Sequence, residues 1–191
     1  MNNEPLEVAL RVAQTLDELG VAYLIGGSLA SALYGEPRAT MDADIIADLQ
    51  LRHVEPLVRA LSSEFYVDAD SIRDAINNQR SFNLIHYATT FKVDVFVRKH
   101  RAFDDAQFAR RTKQVLLREP DRAAQVASPE DSILAKLEWY RMGGEVSDRQ
   151  WRDILGMLKT QRETLDRAYM ERMAQQLNVA DLLARAWQDA E

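Results

Sequence analysis

The sequence has no cysteine, which excludes disulfide bridges, thiolate zinc sites and cysteine nucleophiles. Histidine is nearly as scarce. His53, His86 and His100 stand far apart with no ligand-like spacing, which argues against a histidine metal site. Positive charge is in deficit, with 24 Lys and Arg against 30 Asp and Glu and a net charge of −6. The surface as a whole is therefore not built to grip phosphate backbones, and any nucleic-acid contact must be local. No apolar run approaches the length of a membrane span. Met1-Asn2-Asn3-Glu4-Pro5 lacks the basic-then-apolar order of a targeting signal, and a cytoplasmic protein is the expectation. Internal repeats and low-complexity tracts are also absent.

What is present suits one catalytic domain with an appendage: 191 residues, of which 47% are hydrophobic and 28% charged, enough to bury an ordinary core. Apolar residues at helical spacing predict a helix from Leu6 to Leu19, stopped by Gly20. Val21 to Ile25 reads as a buried strand running into Gly26-Gly27, after which Ser28 opens a short helix that Gly35 and Pro37 halt. Asp42 to Leu49 alternates acidic and aliphatic residues as a strand, followed by a helix from about Arg52 to Leu61 and another over Ser71 to Asn78. Phe82 to Tyr87 and Phe91 to Val97 read as a hairpin, with further short strands at Val115-Leu116-Leu117 and Ala124-Gln125-Val126. From Ser128, a capping hydroxyl followed by Pro129, the chain turns helical: to Gly143, from Asp148 to about Gln161, from Leu165 to Leu177 and from Ala180 to Ala190. The expected architecture is α/β (α+β): a small mixed sheet with helices on one side over residues 1–126, then a helical region over residues 127–191.

The chemistry-bearing feature is an order of pieces. A strand runs into Gly26-Gly27-Ser28, Asp42-Ala43-Asp44 follows on another strand, and Asp94 lies within Lys92-Val93-Asp94-Val95-Phe96. Residues two apart on a strand share a face, so Asp42 and Asp44 converge, and Asp94 joins them if its strand lies alongside. Clustered carboxylates repel one another unless a hard, oxygen-preferring divalent cation such as Mg²⁺ supplies the compensating charge. In a two-metal arrangement one ion activates a hydroxyl and the other neutralises a triphosphate, with Asp94 the natural proton acceptor. Glycines in the turn let backbone approach phosphate oxygens, while Ser28 and the helix N-terminus supply donors. In isolation, Gly-Gly-Ser is an ordinary strand-to-helix turn and Asp-x-Asp an edge-strand pair.

Together these stretches resemble a known pattern. Leu24-Ile25-Gly26-Gly27-Ser28 through Arg38-Ala39-Thr40-Met41-Asp42-Ala43-Asp44-Ile45 is similar to the signature of DNA polymerase β-like nucleotidyltransferases, with Arg38 and Thr40 matching residues common before the acidic pair in bacterial branches. Ser128 to Leu137 and Arg149 to Leu155 resemble two later motifs of the abortive-infection (AbiEii-type) branch. The resemblance spans roughly residues 20 to 160. It implies a nucleotidyltransferase using two Mg²⁺ ions held by Asp42, Asp44 and Asp94. Gly26, Gly27, Ser28, Arg38 and Thr40 would lie at the nucleotide, Lys136 on the triphosphate, and Asp153 would orient that lysine. It also implies an NTP substrate, an acceptor hydroxyl on an RNA end, a protein or a small molecule, and a place in bacterial toxin–antitoxin or phage-defence systems. From spacing alone, Lys136 sits at the margin of an apolar stripe and snorkels into a cleft or into water, and Asp153 is equally suited to a salt bridge with Arg149 or Arg152.

Three further readings complete the expectations. The basic stretch Arg98 to Lys113 is either a local RNA contact or a solvated loop and helix face. Trp139, Trp151 and Trp187 read as core packing, with Trp139 or Tyr140 placed to stack on a purine. Leu182, Leu183, Ala186 and Trp187 offer a dimer or partner face, and a nucleotide-sensing module that has lost turnover is the alternative to an enzyme.

Overall fold

The computed structural model describes residues 4–36, 40 and 42–191. Helix α1 (Glu4–Glu18) buries Val8, Leu10, Val12 and Leu16, and Gly20 follows at φ +66, the left-handed conformation glycine adopts without strain. The chain then alternates: β1 (Tyr23–Ile25), α2 (Gly27–Tyr34), β2 (Asp42–Ala47), α3 (Val54–Leu61), β3 (Phe65–Tyr66), α4 (Ala69–Asn78), β4 (Ser81–His86), β5 (Lys92–Val97), α5 (Ala102–Arg110), β6 (Thr112–Leu117) and β7 (Arg122–Val126). Four helices close it: α6 (Pro129–Met142), α7 (Asp148–Gln161), α8 (Arg167–Gln176) and α9 (Ala180–Asp189). No helix among the described residues is long and apolar enough to cross a membrane.

The strands form one mixed sheet of seven in the order β3-β4-β5-β2-β1-β7-β6. β2 runs parallel to β5 and antiparallel to β1, while β4/β5 and β6/β7 are antiparallel hairpins. The sheet is therefore larger than the sequence suggests, and the weak apolar runs around Val115 and Ala124 pair as β6 and β7.

Because side chains alternate across a strand, Ala43, Ile45 and Ala47 of β2 and Val93, Val95 and Val97 of β5 are buried on one face. They join α1, α3 and α4 in a first apolar cluster. The opposite face carries Asp42, Asp44 and Ile46 beside Lys92, Asp94 and Phe96, all partly exposed. Over that face stands a second cluster from α6 to α9, which also draws in Phe103 of α5. The α1–α3–α4 layer covers one face, as expected for residues 1–126, and the C-terminal helical region covers the other, joined to the rest partly through Tyr34 of α2, which packs on both clusters.

The caps follow the expected chemistry. Ser128 Oγ accepts from Asp131 N at 3.1 Å and Ser147 Oγ from Gln150 N at 3.3 Å, each satisfying an orphan N–H of a first turn. Leu182, Leu183 and Ala186 do not form a dimer face. They are at most 2% exposed within the second cluster, and Trp187 packs against it under the Arg167 guanidinium.

Candidate active site

The parallel register of β2 and β5 sets Asp44 directly beside Asp94 and Asp42 beside Lys92. Asp42, Asp44 and Asp94 therefore share one sheet face, as their spacing predicts. Burial, then the charges of Asp42 and Asp94, push the Asp44 carboxyl up to about 6, against smaller opposing effects from Lys136 and Lys92. The mutual repulsion expected of the cluster is thus present. Lys92 Nζ reaches Asp94 at 2.7 Å, and that bond raises the lysine's own pKa. The signal for this pair was in the sequence, since Lys92 and Asp94 are two apart on one strand.

The glycine turn closes onto the same spot. Gly26 N donates to the Asp44 carbonyl at 2.9 Å, fastening the turn to β2. Gly27 has φ +55, and a β-carbon there would lie 1.7 Å from Asp44 Oδ2. Only glycine both accepts that backbone and leaves room for the carboxylate. Ser28 follows in the first turn of α2 and lines the cleft. Thr40, expected at the nucleotide, gives its hydroxyl to Asp42, with the Oδ1 at 3.1 Å and the main-chain oxygen at 2.9 Å. Its evident work is to brace the carboxylate. Arg38, the remaining residue expected near the nucleotide, lies outside the described residues.

Lys136 and Asp153 meet across α6 and α7: Nζ donates to Oδ2 at 2.9 Å, each side chain 11% exposed. The pairing implied by resemblance is in place, and burial of both partners makes it more than a surface ion pair. Lys136 acts on Asp44 through its charge, so it stands across the cleft from the carboxylates.

Around these groups lies a cleft of about 1020 Å³ between the open sheet face and α5, α6 and α7. Gly27, Ser28, Asp42, Asp44, Lys136 and Asp153 all line it. Beyond them the floor passes to Phe96, which meets Trp139 of α6 edge-on at 5.8 Å. Trp139 is 48% exposed, so of the three tryptophans it is the one that departs from core packing. Tyr140 is buried against Trp151 and has no face for a ligand ring.

The basic stretch is largely occupied internally. Arg98 pairs with Asp48 and Asp105, Arg101 with Asp104 and Glu138, and Arg110 with Glu130. Asp104 and Asp105 are local partners, but Asp48, Glu130 and Glu138 come from distant parts of the chain.

As a test for divalent cations, the donor chemistry fits: the groups offered are all carboxylates, Asp44 is destabilised by its neighbours, and the remedy for such a cluster is a hard cation. The arrangement fits less well. Among the described residues no group of three or more acidic or histidine side chains is set to hold a metal ion, and Asp94 is engaged by Lys92.

No protein-family model matches the sequence, and no curated protein does. Solved structures do match. An antigenic nucleotidyltransferase-like protein from Paracoccidioides brasiliensis superposes with a TM-score of 0.60 at 20% identity, over 98% of this chain and 93% of its own. The antibiotic-resistance factor ANT(2'')-Ia, in complex with adenylyl-2''-tobramycin, gives 0.59 at 11% identity over 91% and 96%. A nucleotidyltransferase-like protein from Thermotoga maritima gives 0.50 at 18% over 80% and 95%. The chain has the nucleotidyltransferase fold.

Proposed function

We propose that this protein transfers a nucleoside monophosphate from a nucleoside triphosphate to an acceptor hydroxyl, with release of pyrophosphate. The observation that carries the reading is the pairing of Asp44 with Asp94 across adjacent parallel strands, with Asp42 on the same face and Gly27 packed against the Asp44 carboxylate. The fold shared with nucleotidyltransferases supports it.

Gly26, Gly27 and Ser28 cradle phosphate oxygens, and Lys136, held by Asp153, lies opposite to neutralise them. Two Mg²⁺ ions held by Asp42, Asp44 and Asp94 would supply the charge that acidifies the acceptor hydroxyl and offsets that of the triphosphate. Asp94, paired with Lys92 at rest, would have to leave that lysine to join the set, and it is the group placed to take the hydroxyl proton. The new bond joins the acceptor oxygen to the α-phosphorus as the bond to pyrophosphate breaks. Residues 1–126 furnish the carboxylates and the turn, and residues 127–191 close the cleft with Lys136. The acceptor is an RNA end, a protein or a small molecule. A toxin–antitoxin or phage-defence role and a cytoplasmic setting rest on the resemblance and the composition.

A second reading, a nucleotide-binding module without turnover, is favoured by the Lys92–Asp94 salt bridge, which occupies the proposed base. The two separate in one experiment: the intact protein and Asp42→Asn are incubated with Mg²⁺, each labelled triphosphate in turn, and bulk cellular RNA, protein or small-molecule hydroxyl compounds. Label transferred by the native protein and not by the variant supports the transferase. Mg²⁺-dependent binding with no transfer to any acceptor establishes the silent module instead.

A further inference from the structure

One wall of the cleft carries aromatic surface that the proposed chemistry does not use. Trp139 of α6 is 48% exposed and lines the cleft, although a tryptophan ordinarily buries most of its large apolar ring. It meets Phe96 of β5 edge-on, with ring centres 5.8 Å apart, and Phe96 lines the cleft floor. Met142, one turn further along α6, is 64% exposed and lines the same wall. Trp151 and Trp187, by contrast, pack against the second apolar cluster. Trp139 thus keeps ring surface open where the other two do not, and it does so inside a concavity.

The sheet fixes what this ring is next to. Asp44 and Asp94 are paired across β2 and β5, and the glycine turn meets Asp44 from the β1 side, where Gly26 N donates to its carbonyl. A pyrophosphate held by that turn leaves toward β1, so an acceptor oxygen in line with it approaches from the β4 side. The nucleoside is attached to the same phosphorus but lies off that axis, and so runs along the strands. The cleft extends along them toward their ends, past Ile46 and Phe96 to Val97. Phe96 is two residues beyond Asp94 on the same face, roughly 7 Å on, and α6 covers it there with Trp139. Lys136 stands one turn before Trp139 on that helix, so the helix that neutralises the phosphates also presents the ring.

We infer that Trp139, backed by Phe96, is the stacking platform for the base of the bound nucleoside triphosphate, whichever base that is. The inference rests on the nucleotidyltransferase reading above and adds to it the place of the base. The step along β5 from Asp94 to Phe96 is the span of a ribose, which brings a base attached to the α-phosphate onto the open ring. Every nucleobase has a π-face, and stacking on an aromatic side chain does not depend on the donors and acceptors along the edge of the base. A base held flat there also keeps the α-phosphorus in register with the carboxylates. A docked protein is a poorer match, because Trp139, Phe96 and Met142 line the inside of the cleft.

The test is equilibrium binding of ATP, GTP, CTP, UTP and inorganic tripolyphosphate, with Mg²⁺ and no acceptor, to the intact native protein, Trp139→Ala and Trp139→Phe. Thermal melts establish that each variant is folded. Trp139→Ala should weaken all four nucleotides by about tenfold or more while tripolyphosphate binding stays unchanged. Trp139→Phe, which keeps a smaller π-face, should lose less. Nucleotides should quench the tryptophan emission of the native protein and tripolyphosphate should not. Trp139→Phe should abolish that quench, because Trp151 and Trp187 pack against the second cluster. Full nucleotide affinity in Trp139→Ala overturns the inference while leaving the transferase standing, as does a loss shared by tripolyphosphate or confined to one nucleotide. Failure of nucleotides and tripolyphosphate alike to bind the native protein overturns both.

Discussion

Two buried carboxylates in this molecule live under opposite regimes. Asp131 of α6 is fully buried, and each oxygen is answered: Tyr169 donates to Oδ1 at 2.5 Å and Ser128 to Oδ2 at 2.8 Å. Arg110 stands 3.7 Å from Oδ2 with its guanidinium stacked 4.0 Å over the Tyr169 ring. Burial pushes this carboxyl up, and those partners pull it back. Asp44 of β2 is flanked instead by two more carboxylates. One site spends its bonding on holding α5, α6 and α8 together, and the other keeps a negative charge, only partly offset by Lys136 and Lys92, facing a cleft. The difference separates a carboxylate whose charge is met within the fold from one left facing a cleft beside two others.

Removing each group should therefore break different properties. Asp131→Ala leaves the buried Tyr169 hydroxyl without its acceptor, while Arg110 keeps Glu130, and should cost about 1–3 kcal/mol in urea denaturation, with transfer per folded molecule unchanged. Asp42→Asn should do the reverse, lowering turnover by roughly 10²–10³-fold with a melting temperature no lower than the native one. If Asp131→Ala abolished transfer in folded protein, or Asp42→Asn unfolded the chain, the division would collapse.

Asp44 sharpens the contrast through pH. Its folded value of about 6 lies above the 3.8 of a free aspartate, so the folded state holds this proton more tightly than the unfolded one. Its favourable contribution is complete below about pH 4 and is lost as pH rises to about 6, above which the ionised group is a full penalty. Asp44→Asn removes the penalty and should stabilise the protein at neutral pH, in the presence of a chelator, by roughly 2 kcal/mol. The gain should vanish below pH 4 and shrink when Mg²⁺ is added to the native protein, as melting curves across pH will reveal.

The sequence made the open site more legible than the structural one. Asp42-Ala43-Asp44 and Lys92-Val93-Asp94 declare a shared face because strand alternation is local, and Gly26-Gly27 marks the bend that meets it. Lys136 and Asp153 came only through resemblance, since a helix margin looks the same whether it meets a cleft or water. Asp131 carries no local signal, because its chief partner, Tyr169, is 38 residues away. Likewise α5 gives little periodic signal because its few large apolar residues, Phe103 and Phe108, sit among charges, and β3 is only two residues long.

Each carboxylate site also has a Ser or Thr hydroxyl that helps to fix its geometry, and this gives the smallest and most discriminating pair of effects. Thr40 donates to Asp42, and Ser128 donates to Asp131 while capping α6. Valine for Thr40 preserves shape and deletes one bond to a carboxylate that remains near solvent, so stability should fall by no more than about 1 kcal/mol. Asp42 would then be free to rotate away from the cleft, and transfer should drop by about tenfold, with the loss in kcat because the phosphate cradle is intact. Alanine for Ser128 should lower stability by about 1–2 kcal/mol, losing a cap and a buried bond together, while turnover holds. Equal effects of the two substitutions on turnover would mean that the hydroxyls serve one network, and that the cleft carboxylates are as structural as Asp131.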